Sequence, residues 1–277
     1  MRRRVAFTLI ELLVVIGILS MLLTIMLPNL MMVREWARRT SCMANLAAIG
    51  GAILEYDAEH LAYPATANNE EKAATGDWIA PDGDNVASDE DQAAYALFNR
   101  TGGSKRQSPS ASLFLLVRGG SLEPSAFVCP SDNEAREYRL PAGTRRVTMT
   151  DFGSMANVSY SVSYLWNDPT ANDNRGNVEW PKPMPSNFAL ISDLSPVGIT
   201  SNPADILTDE KEGNSWNHAQ DGQSVLYADK HVKWWGNNRA GANGDNIFVP
   251  SSDTVPATRS GANPGGASDT VMCLYDR

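Results

Sequence analysis

The stretch Arg4-Val5-Ala6-Phe7-Thr8-Leu9-Ile10-Glu11-Leu12-Leu13-Val14-Val15-Ile16 opens the apolar run that decides the fold. From Val5 to Val33 there is no Lys or Arg, and Glu11 is the only formal charge. Phe7 to Leu27 is 21 residues, about 31 Å as a helix, close to the roughly 30 Å hydrocarbon core of a bilayer. Arg2, Arg3 and Arg4 precede it; Arg34, Arg38 and Arg39 follow. A secretory signal peptide has an apolar region of only about 7–15 residues and then a small-residue cleavage site. This run is longer and no such site follows, so it predicts a membrane-spanning helix. A carboxylate in such a helix costs about 2–3 kcal/mol, so Glu11 predicts a partner and a task. The plainer reading is an interfacial Glu tolerated near the helix end.

Beyond the membrane the helix continues. Met43, Leu46, Ile49, Ile53 and Tyr56 recur at spacings of three and four, one apolar stripe, with Arg39, Glu55 and Glu59 read on the opposite face. Gly50-Gly51 weakens the run by about 1 kcal/mol per glycine relative to alanine, and Pro64 ends it. Phe7 to His60 would reach about 80 Å.

In the whole chain of 277 residues, 43% are hydrophobic and 20% charged, which excludes a disordered or collagen-like protein. The net charge of −9 argues against nucleic acid as a partner of the soluble part. Residues 65–110 are poor in large apolar side chains. Their stretch 82–91 has carboxylates enough for calcium but lacks EF-hand spacing, and reads as a solvated acidic loop. Ser112 to Val117 predicts a short helix. Asn157 to Trp166, Phe188 to Ser192, Gln223 to Ala228, His231 to Trp235 and Val271 to Tyr275 predict strands, with Asp229-Lys230 as a two-residue hairpin turn. Residues 236–270 read as a long surface excursion. The expected fold class is α+β.

The N-terminal string resembles the processing site of type IV prepilins and type II secretion pseudopilins. That resemblance implies a leader of residues 1–6, cut by a membrane prepilin peptidase between Ala6 and Phe7, followed by N-methylation of Phe7. Ala6 stands where the family prefers Gly. Glu11 becomes the fifth mature residue, neutralised in a filament by the Phe7 amine of a neighbouring subunit, and Pro28 the twenty-second, a helix-weakening proline. The implied architecture is pilin-like, with residues 7–27 spanning the membrane, 28–60 an amphipathic stem packed on a twisted antiparallel sheet with large loops, and 61–277 a globular domain outside the cytoplasm. Removing Arg2, Arg3 and Arg4 leaves 20 Lys plus Arg against 32 Asp plus Glu, a balance of −12.

Ser41 to Gly50, Phe127-Val-Cys-Pro-Ser-Asp132 and the run from Asn217-His218 to Val232 are similar to the bacterial prepilin-type proteins with a C-terminal H-X9-DG signature. Here ten residues separate His218 from Asp229, and Lys230 stands in place of Gly. The residues themselves read mainly as a turn, since a two-residue Asp-Gly turn needs positive φ at both central positions. His218, Asp221, Asp229 and His231 could instead cluster as metal ligands; the expectation is no metal and no cofactor. Cys42 and Cys129 could pair in an oxidising compartment, clamping loop to helix, or remain thiols. Cys273 has no evident partner.

Two functions follow. One is a structural, non-enzymatic subunit in the inner (cytoplasmic) membrane, single-pass, meeting the lipid bilayer, a prepilin peptidase, an inner-membrane assembly platform and copies of itself or other pilins. The other is an envelope carbohydrate-binding or hydrolytic domain on a pilin-type anchor, with Trp234 and Trp235 as candidate sugar-stacking faces. No nucleophile elbow, HExxH, P-loop or Rossmann string is present.

Overall fold

The computed structural model describes residues 8–64, 109–163, 166–167, 178–179, 184–196, 211–241 and 244–248. The expected leader, the acidic loop 82–91, Cys273 and the strand at 271–275 lie outside the described residues.

Helix α1 runs from Leu9 to His60, 52 residues, about 78 Å long. Thr8 caps its start and Leu61, at φ 55°, ends it in the left-handed conformation three residues before Pro64. The helix passes through Gly50-Gly51 without a break. Gly50 is needed for contact: a Cβ there would sit 2.8 Å from Leu226 Cδ1. Helix α2, Pro109–Arg118, contains the predicted segment 112–117.

The fold is α+β. A four-stranded antiparallel sheet has the order β1 (Tyr160–Val162), β4 (Ala189–Asp193), β5 (Gln223–Tyr227), β6 (Val232–Trp235). A separate pair joins β2 (Trp166–Asn167) to β3 (Val178–Glu179). The predicted strand at 157–166 is thus shorter than expected, three residues in the main sheet, with Trp166 in the other.

The stem packs on β5 and β6. Cys42, Leu46, Ile49, Ala52 and Ile53 of α1 are buried with Leu226, Leu190, Ile191 and the α2 residues Leu113, Phe114, Leu116 and Val117. Phe152 anchors this core edge-on against Phe114, Phe127 and Tyr138, at centroid distances of 5.0–5.8 Å. Of the expected stripe, Met43 and Tyr56 are only half-buried. The larger correction concerns the far side of the sheet. Part of the predicted surface excursion folds over it, so that Ala240, Ile247 and Phe248 are buried against Ala189, Val225 and Tyr227. The Tyr227 hydroxyl donates to Ala240 O at 2.7 Å. Strands β4 and β5 are therefore buried on both faces.

The β5–β6 connection also differs from the two-residue turn. Lys230 N–H donates to Tyr227 O at 2.9 Å and Tyr227 N–H to His231 O at 3.0 Å. Only Lys230 takes positive φ, 74°. This is a three-residue loop, 228–230, whose last position is left-handed and favours glycine.

A disulfide joins Cys42 of α1 to Cys129 in the loop ahead of the sheet, with Cα atoms 5.3 Å apart and a separation of 87 positions in sequence. Asn45, three residues further along α1, donates to Val128 O at 3.0 Å.

Three expectations follow. Lys230→Gly relieves the left-handed strain and should stabilise the chain by about 1 kcal/mol, read as a higher denaturation midpoint of the detergent-solubilised protein. Gly222 sits at φ 149° with the space for a Cβ filled by Trp235 O at 2.1 Å; Gly222→Ala should cost about 2–4 kcal/mol in the same assay. Thiol titration of the denatured, unreduced protein should find one free thiol among three cysteines, and Cys42→Ser/Cys129→Ser should cost about 3–5 kcal/mol because the bridge closes a long loop.

Candidate functional site

Two places in the chain concentrate candidate functional side chains. At the start of α1, Thr8 and Glu11 form a capping box. Thr8 N–H and the Thr8 hydroxyl donate to Glu11 Oε2 at 2.8 and 2.7 Å, and Glu11 N–H donates to Thr8 Oγ1 at 3.3 Å. The Glu11 carboxylate thus has donors within its own chain. From Leu9 to Val33 the large apolar side chains are exposed, and an 18-residue window reaches a mean hydropathy of 2.6 with none of it buried. Pro28 lies within the continuous helix. Ala6 and Phe7 lie outside the described residues.

The second place begins where the apolar run ends. Glu35, Arg39, Cys42 and Asn45 follow one another at spacings of four, three and three along one face of α1, and each is tied to the globular part. The Glu35 carboxylate accepts from Ser131 Oγ at 3.0 and 3.1 Å and meets His218 Nδ1 at 2.6 Å. Arg39 donates to Asp221 Oδ2 at 2.7 Å and lies over the Trp234 ring, 4.3 Å from its centroid. Arg39 therefore belongs to the bound face, not to the opposite face assigned to it from the sequence. There the Asp221 carboxylate and the face of Trp234 compensate the guanidinium.

His218 is brought inward by an uncommon backbone. His218, Ala219 and Gln220 have φ of 59°, 56° and 61°, three successive left-handed residues, closed by Asp221 N–H donating to His218 O at 3.2 Å. Each such residue costs about 1–2 kcal/mol, so the turn persists only because its surroundings hold it. Asn217 supplies one hold, donating to Ser159 O at 3.0 Å. The His218 side chain is sealed from solvent. Its Nδ1 faces Glu35, its Nε2 lies 3.5 Å from both Cys129 Sγ and Asp193 Oδ2, and its ring meets Trp234 edge-on at 5.4 Å.

Asp193, at the end of β4, is fully buried. Burial pushes its carboxyl above the ordinary range, opposed by the charge of His218, by Ser224 N–H at 2.6 Å and by Asn217 Nδ2 at 3.5 Å. Burial, with the charge of Asp193, raises Tyr160, against the opposing hydrogen bond from Asn45. Asp221 is held below its usual value: burial would raise it, but Lys211 at 3.1 Å and Arg39 outweigh that.

His218, Asp221, Asp229 and His231 do not form one centre. Asp221 serves Arg39 and Lys211, while Asp229 and His231 bond to each other at the hairpin, where His231 also stacks on Tyr227. Among the described residues, the group with metal-ligating atoms close together is Cys42, Cys129, Asp193 and His218, all within 4.8 Å of one another and all buried. Sequence reasoning missed Glu35, Ser131 and Asp193. A seven-residue offset places Glu35 on the face of Cys42, which was the one available signal for it. Trp234 is occupied by Arg39 and His218, and Trp235 carries Lys233 over its ring at 3.7 Å, so both rings are engaged by the chain itself.

Comparison with known proteins bears on the first of these places. The prokaryotic N-terminal methylation motif matches residues 1–27. Type II secretion system core protein G of Klebsiella pneumoniae is 41% identical over 66 residues, covering 24% of this chain and 47% of that protein. The chain thus spans about half the length of that curated relative. No solved structure matches. The remaining match covers residues 31–268, most of the chain, and by it the protein belongs to the family described as protein of unknown function DUF1559.

Proposed function

We propose that this chain is a structural subunit, a pilin or pseudopilin, of a type II secretion or type IV pilus-like filament. In this reading a prepilin peptidase cuts between Ala6 and Phe7, Phe7 is N-methylated, and α1 holds the subunit in the inner membrane until assembly. The observation that carries the proposal is the methylation motif at residues 1–27 leading into a continuous helix. That helix is bare and apolar in its first half and buries one apolar stripe in its second. Likeness to a secretion-system core protein supports it. So does the engagement of Trp234 and Trp235 by Arg39, His218 and Lys233, which weakens the sugar-binding alternative.

Glu11 then has a two-stage role. Before assembly the Thr8 donors satisfy it, which lowers the cost of carrying a carboxylate in the bilayer. On assembly the Phe7 amine of a neighbour replaces them, and an ion pair in low dielectric rewards correct axial register. Trp36, exposed beside Arg34 and Arg38, suits the membrane–water boundary.

The test is the mass and N-terminal sequence of the protein from its native membrane. We expect a chain beginning at N-methyl-Phe7; an intact Met1 start beside an active peptidase would overturn the reading. Glu11→Ala should leave membrane insertion intact and lower filament assembly by at least about tenfold, since an unpaired amine in low dielectric is worth several kcal/mol, measured by shearing filaments from cells and comparing yields.

A further inference from the structure

We propose that, while Cys42 and Cys129 are thiols, the two sulfurs bind one Zn2+ together with His218 Nε2 and a carboxylate oxygen of Asp193. The four side chains come from α1, the 128–133 loop, the left-handed turn and the end of β4. Their ligand atoms lie within 4.8 Å of one another in the dry interior. A tetrahedral zinc centre needs ligand separations of about 3.3–3.8 Å. His218 Nε2 already lies 3.5 Å from Cys129 Sγ and 3.5 Å from Asp193 Oδ2. Breaking the sulfur–sulfur bond frees the last two ligands to separate.

The surroundings are those a zinc ligand set requires. A histidine ligand usually gives its other ring N–H to a carboxylate, which fixes the tautomer and aims the lone pair at the metal. Glu35 Oε1, 2.6 Å from His218 Nδ1, occupies that position and leaves Nε2 facing the sulfurs. Asp193 is likewise oriented, by Ser224 N–H and Asn217 Nδ2. Two thiolates, an imidazole and a carboxylate are too soft a set for calcium or magnesium and suit zinc.

The bookkeeping of charge favours the exchange. Zn2+ enters and the two thiol protons leave to solvent, so the net charge of the buried site is unchanged. The cysteines leave the ribosome as thiols, so the zinc form needs no reductant in a newly made chain. In an oxidised chain a phosphine reductant converts the disulfide to two thiols, taking oxygen from one water and becoming the phosphine oxide. Disulfide and zinc are therefore alternative closures of one gap, between α1 and the loop that carries Cys129.

The experiment uses the full chain in detergent, made by cell-free synthesis in reducing buffer containing Zn2+ or Co2+, and in parallel refolded from phosphine and denaturant with the same ions. We expect one zinc per reduced chain after desalting and, with cobalt, an intense near-ultraviolet sulfur-to-metal band. The oxidised chain should show neither. Cys42→Ser/Cys129→Ser should abolish the band, and Glu35→Gln should weaken binding about 10–100-fold while keeping it. The proposal is overturned by reduced chain from both routes holding no stoichiometric metal, by a band that survives loss of both cysteines, or by equal metal in the oxidised form. None of these readings depends on whether the protein enters a filament.

Discussion

One helix has to satisfy two solvents, and the rest of the structure depends on how α1 divides between them. Up to Val33 its apolar side chains face outward all round, which water tolerates poorly and lipid or a neighbouring helix tolerates well. From Cys42 to Ile53 its apolar side chains are confined to one stripe and covered by β5, α2 and the 124–129 segment. Burial of that stripe, at about 1.5–3 kcal/mol for each large side chain, holds the globular part to its stem. Gly50 sets how closely stem and sheet approach, because Leu226 fills the space where a side chain would stand.

Across the junction of those two halves, from Glu35 to Asn45, the helix is held differently. Glu35, Arg39, Cys42 and Asn45 reach the globular part by carboxylate, guanidinium, disulfide and amide, one tie per turn on one face. Polar and covalent ties are directional where apolar packing is not, so they fix the rotation of the stem about its axis as well as its distance. The left-handed turn at His218 is the counterpart of this arrangement. No local preference of His, Ala and Gln favours three successive positive φ values. The turn exists because His218 gains Glu35 on one side of its ring and the Asp193–Cys129 pair on the other.

The same division explains what could be read from the amino-acid sequence. A spanning helix and a buried stripe are statements about period and length, which sequence carries directly, and both α1 and the core strands β4, β5 and β6 were legible in this way. Arg39 and Glu35 were not, because a charged residue on a helix reads as solvated until its partner is known, and the partners are 182 and 183 positions away. Asp193 follows the apolar strand residues Ala189 to Ile191 and looks like a strand's exit into solvent; it is instead capped by Ser224 N–H from the adjacent strand. Residues 238–241 and 244–248 are rich in Gly and Asn, yet Ile247 and Phe248 are enough to fasten them across the sheet. The hairpin turn was misjudged in length because Lys230 occupies a left-handed site that its residue type does not advertise.

The position of the His218 cluster along the stem has a mechanical consequence. Glu35 is two residues beyond Val33, where the apolar run stops, so among the described residues the contact of the globular part with α1 begins close to the end of that run. Bending of α1 within its apolar half, around Pro28, would therefore meet a stem already clamped by Glu35, Arg39 and Cys42, and would turn the whole globular part as one body. A subunit tied only through Leu46, Ile49 and Ile53 would instead leave about three and a half turns of unsupported helix between the end of the apolar run and the domain. The clamp shortens that lever, and with it the range of orientations the domain can take relative to the apolar half of α1.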